Sequence, residues 1–453
     1  MNAWLESLRV YYDRRMLTLL ALGFSSGLPA PLVFSNLSIW LRDEGVSRTD
    51  IGLFALATTP YAINFLWAPL VDRMRLPWLT ARFGRRRGWA LFAQGWLILA
   101  IGLMALTNPS GNLMAVALAA LFVAFVSATQ DIVIDAYRID VLEPHQYGAG
   151  SAAAIWGWHL GGTLVGGAGG LYLAASLGWN VAYGVLALAI GIGVIAILVS
   201  PEPRARPTEE TLARERRVSE RLHHLHWLRG RLADLAAWLY GAVVAPFADF
   251  MRRDGWVLIL VFIFVFKFGD AMLGRMSGVF YREMGFSLTD IANVSKVYGL
   301  AANAFGILVG GYLVYRLGVM KSLFLAGFAA ASTNLTYSWL AMSGHDMTVF
   351  KIAVMSDNFT GGLATVAFVA YLSSLTNVVY TATQYALLAS LGNLARIWLS
   401  ASSGWMVDQL DGDWVVFFAM TAGLALVGLP LLLILMWRFP RPEPERRSNN
   451  GSG

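Results

Sequence analysis

The sequence predicts an all-α integral membrane protein, with twelve transmembrane helices in two pseudo-symmetric six-helix halves. Three observations predict it. Hydrophobic residues fill 57% of the 453 positions and charged residues only 14%, where a soluble domain carries about 25% charge. Apolar stretches near the roughly 20 residues that a bilayer crossing needs recur about twelve times. The loop Arg42-Asp43-Glu44-Gly45-Val46-Ser47-Arg48-Thr49-Asp50-Ile51 returns as Arg282-Glu283-Met284-Gly285-Phe286-Ser287-Leu288-Thr289-Asp290-Ile291, with six identities in ten positions at a spacing of 240. Each copy lies between the first and second apolar stretch of its half, which marks a duplicated membrane unit.

The stretches run near 17–41, 50–72, 88–107, 112–137, 147–175, 179–199, 255–280, 290–315, 321–342, 348–375, 381–407 and 413–437. Parallel six-helix halves related by an axis along the membrane normal give the major-facilitator fold. The expected organisation is a cytoplasmic N-terminus (1–15), a first half (16–199), a cytoplasmic amphipathic linker (200–254), a second half (255–437) and a cytoplasmic tail (438–453). The charged start (Glu6, Arg9, Asp13, Arg14, Arg15) runs straight into a span, unlike a cleavable signal peptide. Cysteine is absent, which excludes disulfides, thiolate metal sites and thiol nucleophiles. The net charge of +6 reads as topology rather than nucleic-acid binding. Arginine and lysine gather in the loops on the side of both termini, as the positive-inside rule requires of the cytoplasmic face.

Taken in order, the first span is interrupted at Phe24-Ser25-Ser26-Gly27-Leu28-Pro29, where cavity-lining backbone is expected. Between the second and third spans, Asp72 and Arg73 are followed by Arg85-Arg86-Arg87. An acid at a helix end facing clustered arginines resembles the major-facilitator signature loop, with residues 74–84 inserted. There the acid locks the inward gate and the arginines anchor to anionic lipid. The fourth span places Asp131, Asp135 and Arg138 at i, i+4 and i+7 on one face, with Gln130 beside them. Its counterpart reads Val369-Ala370-Tyr371 where this one reads Asp135-Ala136-Tyr137, so the acids are one-sided. Intramembrane charges usually mark function. Asp131 either couples to protons or contacts substrate, while Asp135 and Asp140 with Arg138 either share that role or latch a gate.

In the fifth span His159 is either a proton site or a hydrogen-bonded core residue. Trp156 and Trp158 either stack on sugar rings or pack helices. Residues 200–254 carry Leu222, Leu225, Leu228, Leu232, Leu235 and Leu239 at helical steps. They form either a surface helix tethering the halves or a docking element. The seventh span brings Lys267, Asp270 and Arg275, the eighth Lys296, the tenth Lys351, Asp357 and Asn358, and the eleventh Gln384 and Arg396. Lys267 and Asp270 are i, i+3 neighbours, and Asp357 has Lys296, Lys267 or Arg396 as alternative partners. The cation surplus of this half suits an anionic substrate held between the halves.

At these residues the chain resembles the AmpG muropeptide permease family. The matching stretches are Gly23-Phe24-Ser25-Ser26-Gly27-Leu28-Pro29, Phe65 to Arg73, Ala128-Thr129-Gln130-Asp131-Ile132-Val133-Ile134-Asp135-Ala136, Lys267-Phe268-Gly269-Asp270-Ala271 and Ala382-Thr383-Gln384-Tyr385-Ala386-Leu387-Leu388. They cover nearly all of residues 15–437. The resemblance implies a bacterial inner-membrane symporter. It would import GlcNAc-1,6-anhydro-MurNAc, with or without peptide, from periplasm to cytoplasm for cell-wall recycling. That import sets the inducer level for β-lactamase where such a circuit exists. It implies no cofactor beyond the proton gradient, and a glycopeptide and membrane lipid as partners. Gly27, Gln130, Asp131 and Asp135 would line the cavity from one half, and Lys267, Asp270 and Lys296 from the other.

The family pattern departs where His159 replaces Arg and Asp357 replaces Glu, and where some members add C-terminal spans. Proton-coupling candidates are thus Asp131, Asp135, Asp270, Asp357 and His159. Substrate-binding candidates are Gly27, Gln130, Trp158, Lys267, Lys296, Asn358, Gln384 and Arg396, and gating candidates are Asp72, Arg73, Arg86 and Arg138. A monomer is expected. The alternative is a major-facilitator carrier of another organic anion, such as a siderophore or an acyl-CoA-like thioester. A membrane enzyme is not expected: Glu143 and His145 form the nearest acid–histidine pair, and they have no nucleophile beside them.

Overall fold

The computed structural model describes residues 13–142, 146–203, 250–375 and 381–438. The expected linker helix and tail therefore fall almost wholly outside the described residues. Among the described residues every regular element is helical. Nine stretches of the described residues are long and apolar enough to cross a membrane. They are α1 (Arg14–Asp43), α3 (Arg85–Ala105), α4 (Leu113–Val141), α5 (Gly150–Leu177), α6 (Trp179–Val199), α7 (Trp256–Glu283), α8 (Leu288–Leu317), α10 (Met347–Leu372) and α12 (Trp414–Arg438). The other three expected spans coincide with α2 (48–73), α9 (Val319–Ser343) and α11 (Thr381–Ala401, continued by Ser403–Gln409).

Local chemistry sets where these helices start, stop and break. Asn112 caps α4 by accepting from the amide of Ala115 at 3.0 Å, and Asp413 caps α12 through Val416 at 3.1 Å. The carboxylate of Glu202 accepts from the amides of Arg86 and Arg87 at 2.9 and 3.0 Å, where the start of α3 favours an anion. Proline removes a backbone donor, so α1 breaks before Pro29 and α2 restarts at Pro60 and beside Pro69. A second break in α1 falls at Phe34, whose φ of −105° and ψ of −91° leave helical space.

α5 and α8 each carry a π-helical stretch, His159–Gly169 and Ala292–Tyr298, and the two pack on each other. Widening the helix frees backbone carbonyls. The buried side chain of Asn36 donates to two of them, Gly166 and Gly167, at 2.9 and 3.2 Å.

The core is distributed unevenly along the bundle. At the end carrying the repeated loop, one cluster runs through both halves of the chain, from Trp40, Trp179 and Tyr183 to Phe280, Tyr281, Tyr337, Trp414 and Phe418. At the opposite end, where α1 begins and α12 finishes, it divides. Met16, Leu19, Trp89, Tyr137 and Ile197 pack within the first half, while Phe262, Phe266, Phe368, Tyr371 and Leu432 pack within the second. The halves are thus fused at the repeat end and separately cored at the other.

Candidate functional site

Both copies of the repeat fold alike. Gly45 and Gly285 take φ of +78° and +87°, a left-handed turn that glycine accepts without a Cβ penalty. Ser47 and Ser287 then cap the next helix, each accepting from the amide of the aspartate three residues on, at 3.1 Å. This frame projects an arginine and an acid from each copy toward the other.

Arg42 Nε donates to Glu283 Oε1 at 2.9 Å, and Arg282 Nε donates to Asp43 Oδ1 at 2.6 Å. The exchange is reciprocal. Each acid also accepts an indole N–H from the last span of its own half: Trp179 to Asp43 at 3.0 Å and Trp414 to Glu283 at 2.8 Å. Arg48 adds a two-pronged pair to Glu283, both bonds 2.9 Å, and a bond to Asp408 at 3.2 Å. Its guanidinium lies 5.8 Å over the Trp414 ring, and Asp408 also accepts from the Thr49 hydroxyl at 2.6 Å. A Cβ on Gly404 would lie 1.6 Å from the carbonyl oxygen of Arg48, so glycine there lets α11 close on α2. Sequence reading missed this clasp. Its signal was the repeat itself, in which an Arg-acid pair occurs twice.

Below the clasp, further polar bridges cross between the halves. Arg275 of α7 is 7% exposed and donates to the carbonyls of Ile51 (3.2 and 2.9 Å) and Phe34 (3.4 Å). Lys296 reaches from the α8 π-helix to Ser35 at 2.8 Å. Arg396 of α11 is exposed, with its guanidinium 5.9 Å over the Phe34 ring. Lys267 lies within the field of both Asp270 and Arg396. Among the described residues Lys267 and Asp270 make no direct ion pair, and Lys267 sits 5.7 Å over the Phe368 ring. Asp357 pairs with none of the three cations proposed for it. It accepts from Tyr337 at 3.3 Å and lies within the field of Asp270. Lys296, Arg275 and Arg396 have no carboxylate partner among the described residues, so cationic charge concentrates between the halves.

On the first-half wall, Asp131 accepts from Ser26 at 2.6 Å and Gln130 from Ser25 at 3.3 Å. The hydroxyl of Tyr61 is buried beside Ser127 and lies within the field of Asp131. Asp135 pairs with Arg138 at 3.0 Å and is 63% exposed. Trp158 is 40% exposed beside His159, which contacts Thr163 at 3.4 Å. The Asn358 amide donates into its own helix at Val354, 2.8 Å away.

Two expectations need correction. Gly27, expected on the cavity wall, is buried where a Cβ would meet the Trp158 carbonyl at 2.2 Å, so it serves the close approach of α1 and α5. Asp140 pairs with Arg86 at 2.7 Å instead of joining Asp135 and Arg138. The printed ion pairs of Arg86 and Arg138 lie within the first half, and those that join the halves lie at the opposite end. The side chains of Asp72, Arg73 and Gln384 lie outside the described residues.

Residues 16–400 match the profile of the Major Facilitator Superfamily. The chain is 36% identical over 432 residues to a protein named Anhydromuropeptide permease from Escherichia coli (strain K12), covering 95% of this chain and 81% of that one. It is 33% identical over 431 residues to Putative transporter AmpG 4 of Rickettsia felis, covering 95% and 97%. Among solved structures it is similar to the D-xylose-proton symporter (TM-score 0.64, 14% identity, 94% and 96% covered) and to the peptide transporter POT (TM-score 0.67, 12% identity, 93% and 94% covered). At those identities the likeness concerns the fold. An apolar multi-pass bundle with a sealed end and charges between its halves has the build of a carrier rather than an enzyme, and the chain belongs to the major facilitator superfamily and, within it, to the family of the AmpG permeases.

Proposed function

We propose that this protein imports anhydromuropeptides, GlcNAc-1,6-anhydro-MurNAc with or without its peptide, from periplasm to cytoplasm by alternating access, driven by the proton gradient. The observation that carries the reading is the cluster of Lys296, Arg275 and Arg396, which face the opposite half with no carboxylate partner among the described residues. A muropeptide brings the missing anions, as peptide carboxylates or as the free lactyl group. The named permease relative, matched over 95% of this chain, supports the substrate class. The repeat end faces the periplasm in this reading, both termini are cytoplasmic, and the membrane is the bacterial inner membrane. The state described is then closed outside.

Asp131, hydrogen-bonded to Ser26 and flanked by Asp135, is the proposed coupling acid. It takes a proton from the outer side, which lets the halves rock, and releases it inward. One proton moving through 100 mV supplies about 2.3 kcal/mol, enough for roughly tens-fold accumulation.

Uptake of labelled GlcNAc-anhydro-MurNAc into proteoliposomes tests this. Accumulation is expected only with an inward proton gradient, and Asp131→Asn is expected to abolish accumulation while leaving downhill exchange. Gradient-independent uptake by the native protein would remove proton coupling. No uptake by folded protein would bring forward the carrier of another organic anion.

A further inference from the structure

Arg275 occupies an unusual position. It is 7% exposed, yet its described bonds go to two backbone carbonyls rather than to a carboxylate. A buried guanidinium carries five N–H donors and its full charge. Carbonyl oxygens take three of the donors and leave the charge without a counterion. Both carbonyls belong to the other half and sit at flaws in its helices. Phe34 is the break in α1, and Ile51 precedes the turn where α2 tightens into a 3-10 helix. Arg275 stands eight positions before Glu283 on α7, so its Cα lies about 12 Å from that of Glu283 along the helix. Phe34 is held twice by the second half, its carbonyl by Arg275 and its ring by Arg396. Arg396 is exposed and Arg275 is buried on the clasp side of the same residue.

We propose that Arg275 is the first substrate anchor on the outer side. Its guanidinium is parked on the Phe34 and Ile51 carbonyls while the clasp is shut, and it is released to bind a substrate carboxylate when the halves part. Opening pulls α7 from α1 and α2, and both carbonyls leave together because they ride on the other half. The guanidinium must then be met by water or by an anion, and a carboxylate fits its forked donors. Arg396, across Phe34, takes the anion over on the inner side. Two arginines, one on each face of Phe34, thereby serve the two accessible states. This assignment rests on the import of a carboxylate-bearing glycan proposed above.

The test compares two probes offered from the repeat-loop side of proteoliposomes: GlcNAc-anhydro-MurNAc with its lactyl carboxylate free, and its neutral lactyl amide. In the native protein the acid is expected to show the lower KM. Arg275→Met is expected to raise the KM for the acid about ten- to a hundredfold and that for the amide less than about threefold. Arg275→Lys is expected to restore part of the discrimination. An equal penalty on both probes, in either variant, would make Arg275 a structural peg and overturn the proposal. If Arg275→Met does not fold, the acid-to-amide ratio in Arg275→Lys decides alone: an unchanged ratio overturns the proposal. Absence of transport of either probe by the native protein would instead sink the import reading itself.

Discussion

The two copies of the repeated loop share their turn, their serine cap and their Arg-acid pair, but they differ at one telling position. Arg48 in the first copy becomes Leu288 in the second. Arg48 ties Glu283 and Asp408 and stacks on Trp414, whereas Leu288 packs with the apolar core. The shared part makes a reciprocal lock, Arg42 to Glu283 and Arg282 to Asp43. The divergent part loads one side of it. The α2–α11 seam is stitched by charge. The α5–α8 seam is closed by facing π-helices, with Tyr172 donating to Asn293. Duplication supplied the frame, and a single divergent residue made its acids unequal, since Glu283 has three partner side chains and Asp43 has two.

That inequality can be tested. The chain contains no cysteine, so Ile39→Cys gives a clean probe. Ile39 is 1% exposed and faces α7 near Gly278, and a membrane-impermeant maleimide should reach a thiol there only when the repeat end opens. Glu283→Gln removes the negative charge and one of the two acceptor oxygens that Arg42, Arg48 and Trp414 share. It is expected to disfavour the closed state by about 2–3 kcal/mol and to raise labelling of the introduced thiol by some thirtyfold or more. Arg48→Leu makes the first copy resemble the second and leaves the reciprocal pairs intact. Its expected cost is about 1–2 kcal/mol, or roughly tenfold in labelling. An effect as large as that of Glu283→Gln would mean that the reciprocal pairs contribute little. The smallest effects are expected from Trp414→Phe and Trp179→Phe, each removing one N–H bond worth about 0.5–1.5 kcal/mol. Equal shifts would show that the indole bonds are symmetric even though the acids are not.

Much of this was legible in the sequence where the determining physics is local. The bond between Asp135 and Arg138 is an i, i+3 pair on one helix, and spacing alone put both on one face. The break at Pro29 follows from a missing amide hydrogen. The partners of Asp357 and Asp140 were not legible. Spacing offered Asp357 three cations and the fold gave it the Tyr337 hydroxyl, while Asp140 found Arg86 on another helix. Gly27 was read as cavity wall because it precedes an interruption. The fold uses it for the approach of α5, a contact no pattern within α1 reveals.

The sequence by itself determined the membrane class, the duplication and the excess of cations in the second half. Transfer of a side chain from water to lipid is a property of that side chain, and the repeat is written in residue order. Only the tertiary structure decided that the two Arg-acid pairs exchange partners, that Arg275 rests on backbone carbonyls and that one end is shut. Those bonds join residues separated by 224 to 360 positions. They form or break together as the halves move, so they depend on how two packed bodies meet and not on any stretch of chain.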